Sequence, residues 1–393
     1  MFFSISKNPS NNFTNYYQLG NYIVGTDSGW SIRKTDTTTA VYKGYADHGR
    51  MGDTLDEIIG QTDPLLTGNF CVIVHNNLDD TIQIKTNRYR GFPVYYNSTE
   101  VTNLAILEKT VWTNRLITID GDFNIIETKF NIFGEFEPGT LTVDQVVEQI
   151  NTILDQRTQN FLKYNQLPIK VFLTGGVDSL LVYSYLQKFT DNYELVFAQH
   201  IDYDRFWLMN HGTITEKWGY TQIHHWRDPC VLTSGAPGDE FMLRGPTTAN
   251  IFLQSNGLNA VDLLNSDEWN TCLHRSYFLK KENFSIFNQP IKTIHNQQLL
   301  HWTLCNNIIN DWQHWHIGNT LTYTPLRDLE IFKLILRLPL SEAVNQIMDS
   351  GLSKQLIEHN RPGLSQLISS QKNSGNYMSN LCDFYNINQV SKH

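Results

Sequence analysis

Lys170 to Gln187 reads KVFLTGGVDSLLVYSYLQ: an apolar run, two adjacent glycines, an acid and a hydroxyl, then a second apolar run. A short apolar run closed by a glycine pair reads as a buried strand, and the longer run behind it as a helix. A strand that enters a helix through so short a turn belongs to a parallel, helix-covered sheet. Leu173 then ends the strand, Ser179 begins the helix, and Thr174-Gly175-Gly176-Val177-Asp178 is the turn between them. In an open parallel sheet such a turn lies at the carboxyl edge, where ligands bind. The helix start offers amide hydrogens and the positive end of its dipole, and glycines let the backbone come close to an anion. With hydroxyls from Thr174 and Ser179, phosphate is the ligand that suits the turn. The plain alternative is a linking turn with Asp178 at the surface.

The flanking sequence has two textures. From Met1 to about Gly139, β-rich segments such as GNFCVIVHNN, DTIQIKTN and GFPVYYN predict antiparallel sheet with a few helices, and Asn77 to Asp80 predict a hairpin turn. LTVDQVVEQINTILDQRTQNFLKY then has helical spacing, with Thr142 and nearby Glu148 as its start, and opens a second domain. The expected domains are residues 1–139 and 140–393. From Pro168 strand and helix alternate: IKVFLT, SLLVYSYLQKF, YELVFAQHI, a helix through ITEKWGY, then CVLTSG. From roughly Asn250 onward the pattern is mostly helical, including the amphipathic LEIFKLILRLPL. The expected class is α/β, an α+β first domain followed by a parallel α/β domain.

Composition removes several classes of function. The formal charge is −9 with no basic run, which argues against a nucleic-acid partner, because that affinity comes from clustered Lys and Arg. Cys71, Cys230, Cys272, Cys305 and Cys382 are scattered, odd in number and never spaced as CxxC. They read as reduced thiols of a cytoplasmic protein, not as a disulfide framework or zinc site. The start of the chain lacks the basic and apolar regions of a signal peptide, and no run elsewhere is long enough to span a bilayer. His314 and His316 in DWQHWHIG have no neighbouring Cys or carboxylate and read as packed or surface residues.

The glycine turn is neither GxxxxGK(S/T) nor GxGxxG. It resembles the (S/T)GGxDS loop of the ATP pyrophosphatases, which cleave ATP between its α and β phosphates. A second loop, CVLTSGAPGDEFMLRGP, again runs from a strand into Ser-Gly and an acidic pair. Ser234-Gly235-Ala236-Pro237-Gly238-Asp239-Glu240, with Gly245 after it, resembles the SGxGxDE loop of asparagine synthetases and their relatives, the β-lactam synthetases and lasso-peptide cyclases. GYTQIHHW, YTPLRDLEIFKLILRLP, SGLSKQLIE and LISSQKNSGN resemble further segments of that family in the family's order. VYKGYADHG, LTGNFCVIVHNN and TNRYRGFPVYYN resemble its glutaminase half, so that most of the chain is covered.

The resemblance implies an N-terminal Ntn-hydrolase-like antiparallel sandwich and a C-terminal domain like the adenine nucleotide α-hydrolases. It also implies ATP and Mg²⁺ as ligands. Leu173, Thr174, Gly175, Gly176, Asp178, Ser179, Ser234, Gly235 and Asp239 would hold the nucleotide, and Asp178 with Asp239 would share the metal, which removes the repulsion between an acid and phosphate. Lys372, and with it Lys354, would neutralise charge on the α-phosphate and the leaving pyrophosphate, and Glu240 is either a base or a loop anchor. The implied reaction is AMP-forming amide ligation on a small-molecule or peptide substrate that carries a carboxylate and an amine. A homo-oligomer is compatible with it. The alternatives are a catalytically inactive nucleotide-binding scaffold, and an enzyme that activates a nucleobase oxygen for amination.

Three departures from the family bear on the reaction. The chain begins Met1-Phe2-Phe3-Ser4 without the family's N-terminal cysteine, so the first domain is expected to be a pseudo-glutaminase with Ser4 as a strand residue. Ala236 stands where ammonia-using members have Glu and a lactam-forming relative has Tyr. Only about sixty residues separate Thr174 from Ser234, which predicts a different or more open acyl pocket.

Overall fold

Two antiparallel sheets face each other over a shared apolar layer, and a parallel sheet abuts one of them. The computed structural model describes residues 3–8, 13–46, 51–61, 68–86, 94–103, 109–110, 115–129, 139–173, 176–197, 229–233, 235, 238, 242, 320–339, 342–343, 346 and 350–368. Strands β1 (Phe3–Ser6), β2 (Asn15–Leu19), β3 (Tyr22–Thr26), β4 (Ser31–Lys34) and β5 (Thr38–Ala46) lead to helix α1 (Met51–Gly60). Then come β6 (Gly68–Asn76), β7 (Thr81–Thr86), β8 (Tyr95–Tyr96), β9 (Glu100–Thr102), β10 (Lys109–Thr110), β11 (Arg115–Ile119) and β12 (Ile125–Lys129). One sheet has the order β10-β8-β9-β1-β3-β2 and the other β12-β11-β7-β6-β5-β4.

The two-residue period of a strand explains why β6 is apolar almost throughout. Cys71 and Ile73 point into the layer between the sheets with Phe3, Ile5 and Val24, while Phe70, Val72 and Val74 point the other way against Leu55 and Ile58 of α1. Both faces are covered, so neither needs polar residues. Helix α1 has no basic residue in its last turn. Lys85 of β7 supplies the charge instead, donating to the carbonyls of Ile58 (3.0 Å), Ile59 (2.8 Å) and Gln61 (2.7 Å). The expected turn at Asn77 to Asp80 joins β6 to β7, with Asp80 at φ 53° and its carboxylate 2.8 Å from His75 Nε2.

Helix α2 (Val143–Tyr164) starts at Thr142 as expected, but the residue that completes its capping box is Gln145, not Glu148. Only the third helical position reaches back to the cap: Thr142 N–H donates to Gln145 Oε1 (3.0 Å) and Gln145 N–H to Thr142 Oγ1 (3.3 Å). Beyond it lie β13 (Ile169–Leu173), α3 (Val177–Phe189), β14 (Glu194–Phe197), β15 (Cys230–Thr233), β16 (Thr320–Tyr323), α4 (Leu329–Leu336) and α5 (Gly351–Asn360), with a 3-10 turn at Leu364–Leu367. Strands β13 to β16 form a parallel sheet in the order β14-β13-β15-β16. β16 adds a strand to a stretch expected to be mostly helical after Asn250. Its TLTY is β-branched and short, and its burial depends on β15 beside it. The helices expected through ITEKWGY and between Asn250 and the start of β16 lie outside the described residues, as do His314, His316, Cys272, Cys305 and Cys382; Cys71 and Cys230 are buried and not disulfide-bonded.

The fold is thus of mixed α and β class, with antiparallel and parallel sheets. The two kinds of sheet meet where Tyr45 of β5 touches Phe161 of α2 and Tyr323 of β16, the last two rings stacking at 3.9 Å and 10°. No helix among the described residues is long and apolar enough to cross a membrane.

Candidate functional site

β13 is flanked by β14, which follows it in sequence, and by β15 on its other side. The chain therefore leaves β13 in one direction and returns in the other, which opens a crevice at the carboxyl ends of β13 and β15. Both glycine loops singled out in the sequence emerge at that place. Leu173, buried, ends β13.

Helix α3 begins two residues earlier than expected. Gly176 is its N-cap at φ −81° and ψ 158°, and Leu180 N–H donates to Gly176 O (3.3 Å) to close the first turn. Asp178 thus lies within the helix and not before it. The helix dipole favours an anionic side chain at such a position. Ser179 is buried, and its hydroxyl donates to Gly176 O at 3.0 Å.

The second loop presses directly on this helix start. A Cβ at Gly235 would stand 2.3 Å from the carbonyl carbon of Asp178 and 2.4 Å from the nitrogen of Ser179, so only glycine fits over that peptide. A Cβ at Gly238 would stand 2.4 Å from Asp178 Cγ and 2.7 Å from its Oδ1. Gly238 N–H donates to Gly235 O (2.7 Å), and Met242 N–H donates to Gly238 O (2.8 Å), which ties the loop to a buried methionine. Gly238 was not among the expected binding residues, although the second glycine of SGxGxDE was its signal.

Helix α3 is held rigidly behind the crevice. Its residues 179–186 are all buried between the sheet, α2 and α5. Tyr183 and Tyr193 hydroxyls meet at 3.0 Å, Tyr185 donates to Asn151 Oδ1 (2.9 Å), and Asn360 Nδ2 donates to Ser184 Oγ (3.2 Å). Burial pushes the Tyr185 and Tyr193 hydroxyls above the ordinary tyrosine value, so both stay protonated. After β16, Asp328 of TPLRD is the N-cap of α4: it accepts from Glu330 N–H (2.7 Å) and pairs with Arg157 at 3.0 Å.

Gly176, Asp178, Ser179, Gly235 and Gly238 are therefore brought together. Lys354 is on α5, exposed, while Leu352, Leu356 and Ile357 of that helix are buried. Thr174, Gly175, Ser234, Ala236, Asp239, Glu240 and Lys372 lie outside the described residues. Among the described residues no three His, Cys, Asp or Glu side chains gather into a metal site, and Asp178 is the described member of the expected pair.

At the far end of the sandwich, β1 opens on a fully buried ring. Phe3 packs edge-on against Trp30 at 6.1 Å, its N–H donates to Asn103 Oδ1 (2.8 Å), and its carbonyl accepts from Thr102 Oγ1 (2.7 Å). Ser4 is a strand residue, as expected, and donates to Glu100 Oε1 at 2.5 Å. Comparison with protein-family models and with curated proteins returns no match to the chain.

Proposed function

We propose that the chain is an ATP-dependent, AMP-forming carbon–nitrogen ligase of the asparagine synthetase type. In this proposal it adenylates a carboxylate and passes the acyl group to a free or intramolecular amine without using glutamine. The observation that carries the proposal is the seating of Gly235 and Gly238 on Asp178 and Ser179, at the point where the strand order reverses. Two loops that are distant in sequence, each with a phosphate-loop pattern, share one crevice there. In the same proposal the antiparallel half is an Ntn-type sandwich without its nucleophile, and the parallel half is an adenine nucleotide α-hydrolase-like domain.

The chain's own residues support a specific division of labour. First-turn amides of α3 have no intrahelical acceptor and are suited to phosphate oxygens. Gly235 and Gly238 let the second loop close directly onto the start of α3, and the buried body of α3 fixes its first-turn amides before the ligand arrives, so little reorganisation is needed. Asp178 and Asp239 would hold Mg²⁺; in support of this, Gly238, next in sequence to Asp239, packs against the Asp178 carboxylate. When bound, the metal supplies charge neutralisation between carboxylate and phosphates. The substrate carboxylate attacks the α-phosphorus, pyrophosphate leaves with Lys372 stabilising its charge, and the amine then displaces AMP from the acyl carbon. Lys354 is assigned the lesser part, since its helix presents it to solvent.

The test measures AMP and pyrophosphate release from ATP and Mg²⁺ over a panel of carboxylic acids and amines, glutamine included, beside Asp178→Ala. The expected outcome is turnover that needs an amine, added or carried by the substrate itself, ignores glutamine and is lost in Asp178→Ala. ATP binding with no AMP formed from any acceptor would instead make the chain a nucleotide-binding protein without ligase chemistry.

A further inference from the structure

β16 is the outermost described strand of the parallel sheet, so one row of its backbone groups faces away from β15. An unpaired row of this kind is ordinarily covered by another strand. In a parallel ladder, a residue facing position i donates its N–H to the carbonyl of i−1 and accepts from the N–H of i+1. Opposite Tyr323, those partners come from two side chains of the antiparallel half. Asn69 Nδ2 donates to Thr322 O at 3.2 Å, and Tyr45 Oη accepts from Thr324 N–H at 3.0 Å. Together the two side chains make the hydrogen bonds of a single strand residue.

The antiparallel sheet is shaped around this pair. Tyr45 of β5 and Asn69 of β6 face each other in register, and the glycines diagonal to them, Gly44 and Gly68, both stand at φ +119°. A Cβ at Gly44 would lie 2.0 Å from Asn69 O and one at Gly68 2.5 Å from Tyr45 O, so neither position admits a side chain. Glycine at both positions lets β5 and β6 close up and aim one hydroxyl and one amide at β16.

We infer that Tyr45 and Asn69 act as a substitute strand that fixes the carboxyl end of β16, and that they are positioning residues for the crevice beside it. The inference deepens the ligase proposal, and its kinetic arm rests on that proposal. The loop that follows β16 lies next to the one that follows β15, so an ångström of play at Thr324 would be felt by a substrate held between them.

Tyr45→Phe keeps the ring and removes only the acceptor; Asn69→Ala removes the donor. Hydrogen exchange of the peptide spanning Thr322 to Thr324 is expected to speed up about tenfold or more in each full-length variant, with Tm falling by less than about 3 °C. Pyrophosphate release per folded molecule is expected to drop about tenfold in kcat, with KM for ATP within about threefold of wild type, a split that lost stability alone does not produce. Unchanged exchange in Tyr45→Phe overturns the substitute strand, and faster exchange with unchanged kcat overturns the positioning role. If the wild-type chain releases no pyrophosphate from any substrate pair, the ligase proposal falls by itself, and the substitute strand then stands or falls on exchange alone.

Discussion

A methyl group at position 235 has nowhere to go. The atoms it would meet are backbone, the carbonyl carbon of Asp178 and the nitrogen of Ser179, and α3 is packed too tightly behind them to give way. At position 238 the atoms met belong to the Asp178 side chain, which can turn about its own bonds. The two substitutions are therefore expected to separate stability from binding. Gly235→Ala should cost about 1–3 kcal/mol in urea unfolding, as overpacking does, and weaken Mg-ATP in titration calorimetry. Gly238→Ala should cost less than about 1 kcal/mol, yet weaken Mg-ATP at least as much by moving the carboxylate. Equal losses of stability in the two variants would show that the loop is held by something other than these contacts. The pattern SGxGxDE marked both glycines in the sequence, but what each one touches could not be read there. Spacing along a chain carries no information about which atom lies opposite.

Helix α1 ends on a lysine borrowed from a neighbouring strand, and that lysine makes the element's stability depend on pH in the alkaline range. Burial pushes the Lys85 ammonium down to about 8, so desolvation outweighs the favourable pull of three carbonyls. Between pH 8 and the unfolded value near 10.5 the unfolded chain binds the proton and the folded chain does not. Stability should therefore rise with pH across that window, by no more than about 3 kcal/mol. Lys85→Met should abolish this component of the rise and lower stability by about 2–4 kcal/mol at pH 7, because the carbonyls of Ile58, Ile59 and Gln61 lose their donor. Urea midpoints of both proteins at pH 7, 8 and 10 would check it. Elements whose signal is local were legible in the sequence: β6 and β7 with the turn between them, α2 from Thr142, and the strand and helix on either side of the glycine pair. Those whose stability comes from elsewhere were not. TLTY becomes a strand only beside β15, and nothing near α1 in the sequence announces that Lys85 serves it.

At the scale of the whole molecule, the described residues that tie the antiparallel half to the parallel one include the rings of Tyr45, Phe161 and Tyr323, the hydrogen bonds of Tyr45 and Asn69, and Leu321 against the sandwich core. Phe161 is central, stacked on Tyr323 and edge-on to Tyr45. Phe161→Ala is expected to remove about 3–5 kcal/mol and, because the loss falls between the halves, to split a single calorimetric transition into two. One sharp transition at lower temperature would mean that the halves remain coupled by other contacts. Tyr45 and Asn69 join residues 279 and 253 positions away, a range at which no sequence pattern speaks. The strand order also bears on how the chain is made. β13 emerges early and can pair with β14 at once, but its other edge waits for β15 at residue 230, and β15 in turn waits for β16 at residue 320. At ribosomal speed the second wait lasts on the order of 5–20 seconds, long enough for the antiparallel half to fold. β16 thus joins the nascent protein late, and the Tyr45–Asn69 pair is already in place as the mould into which it sets.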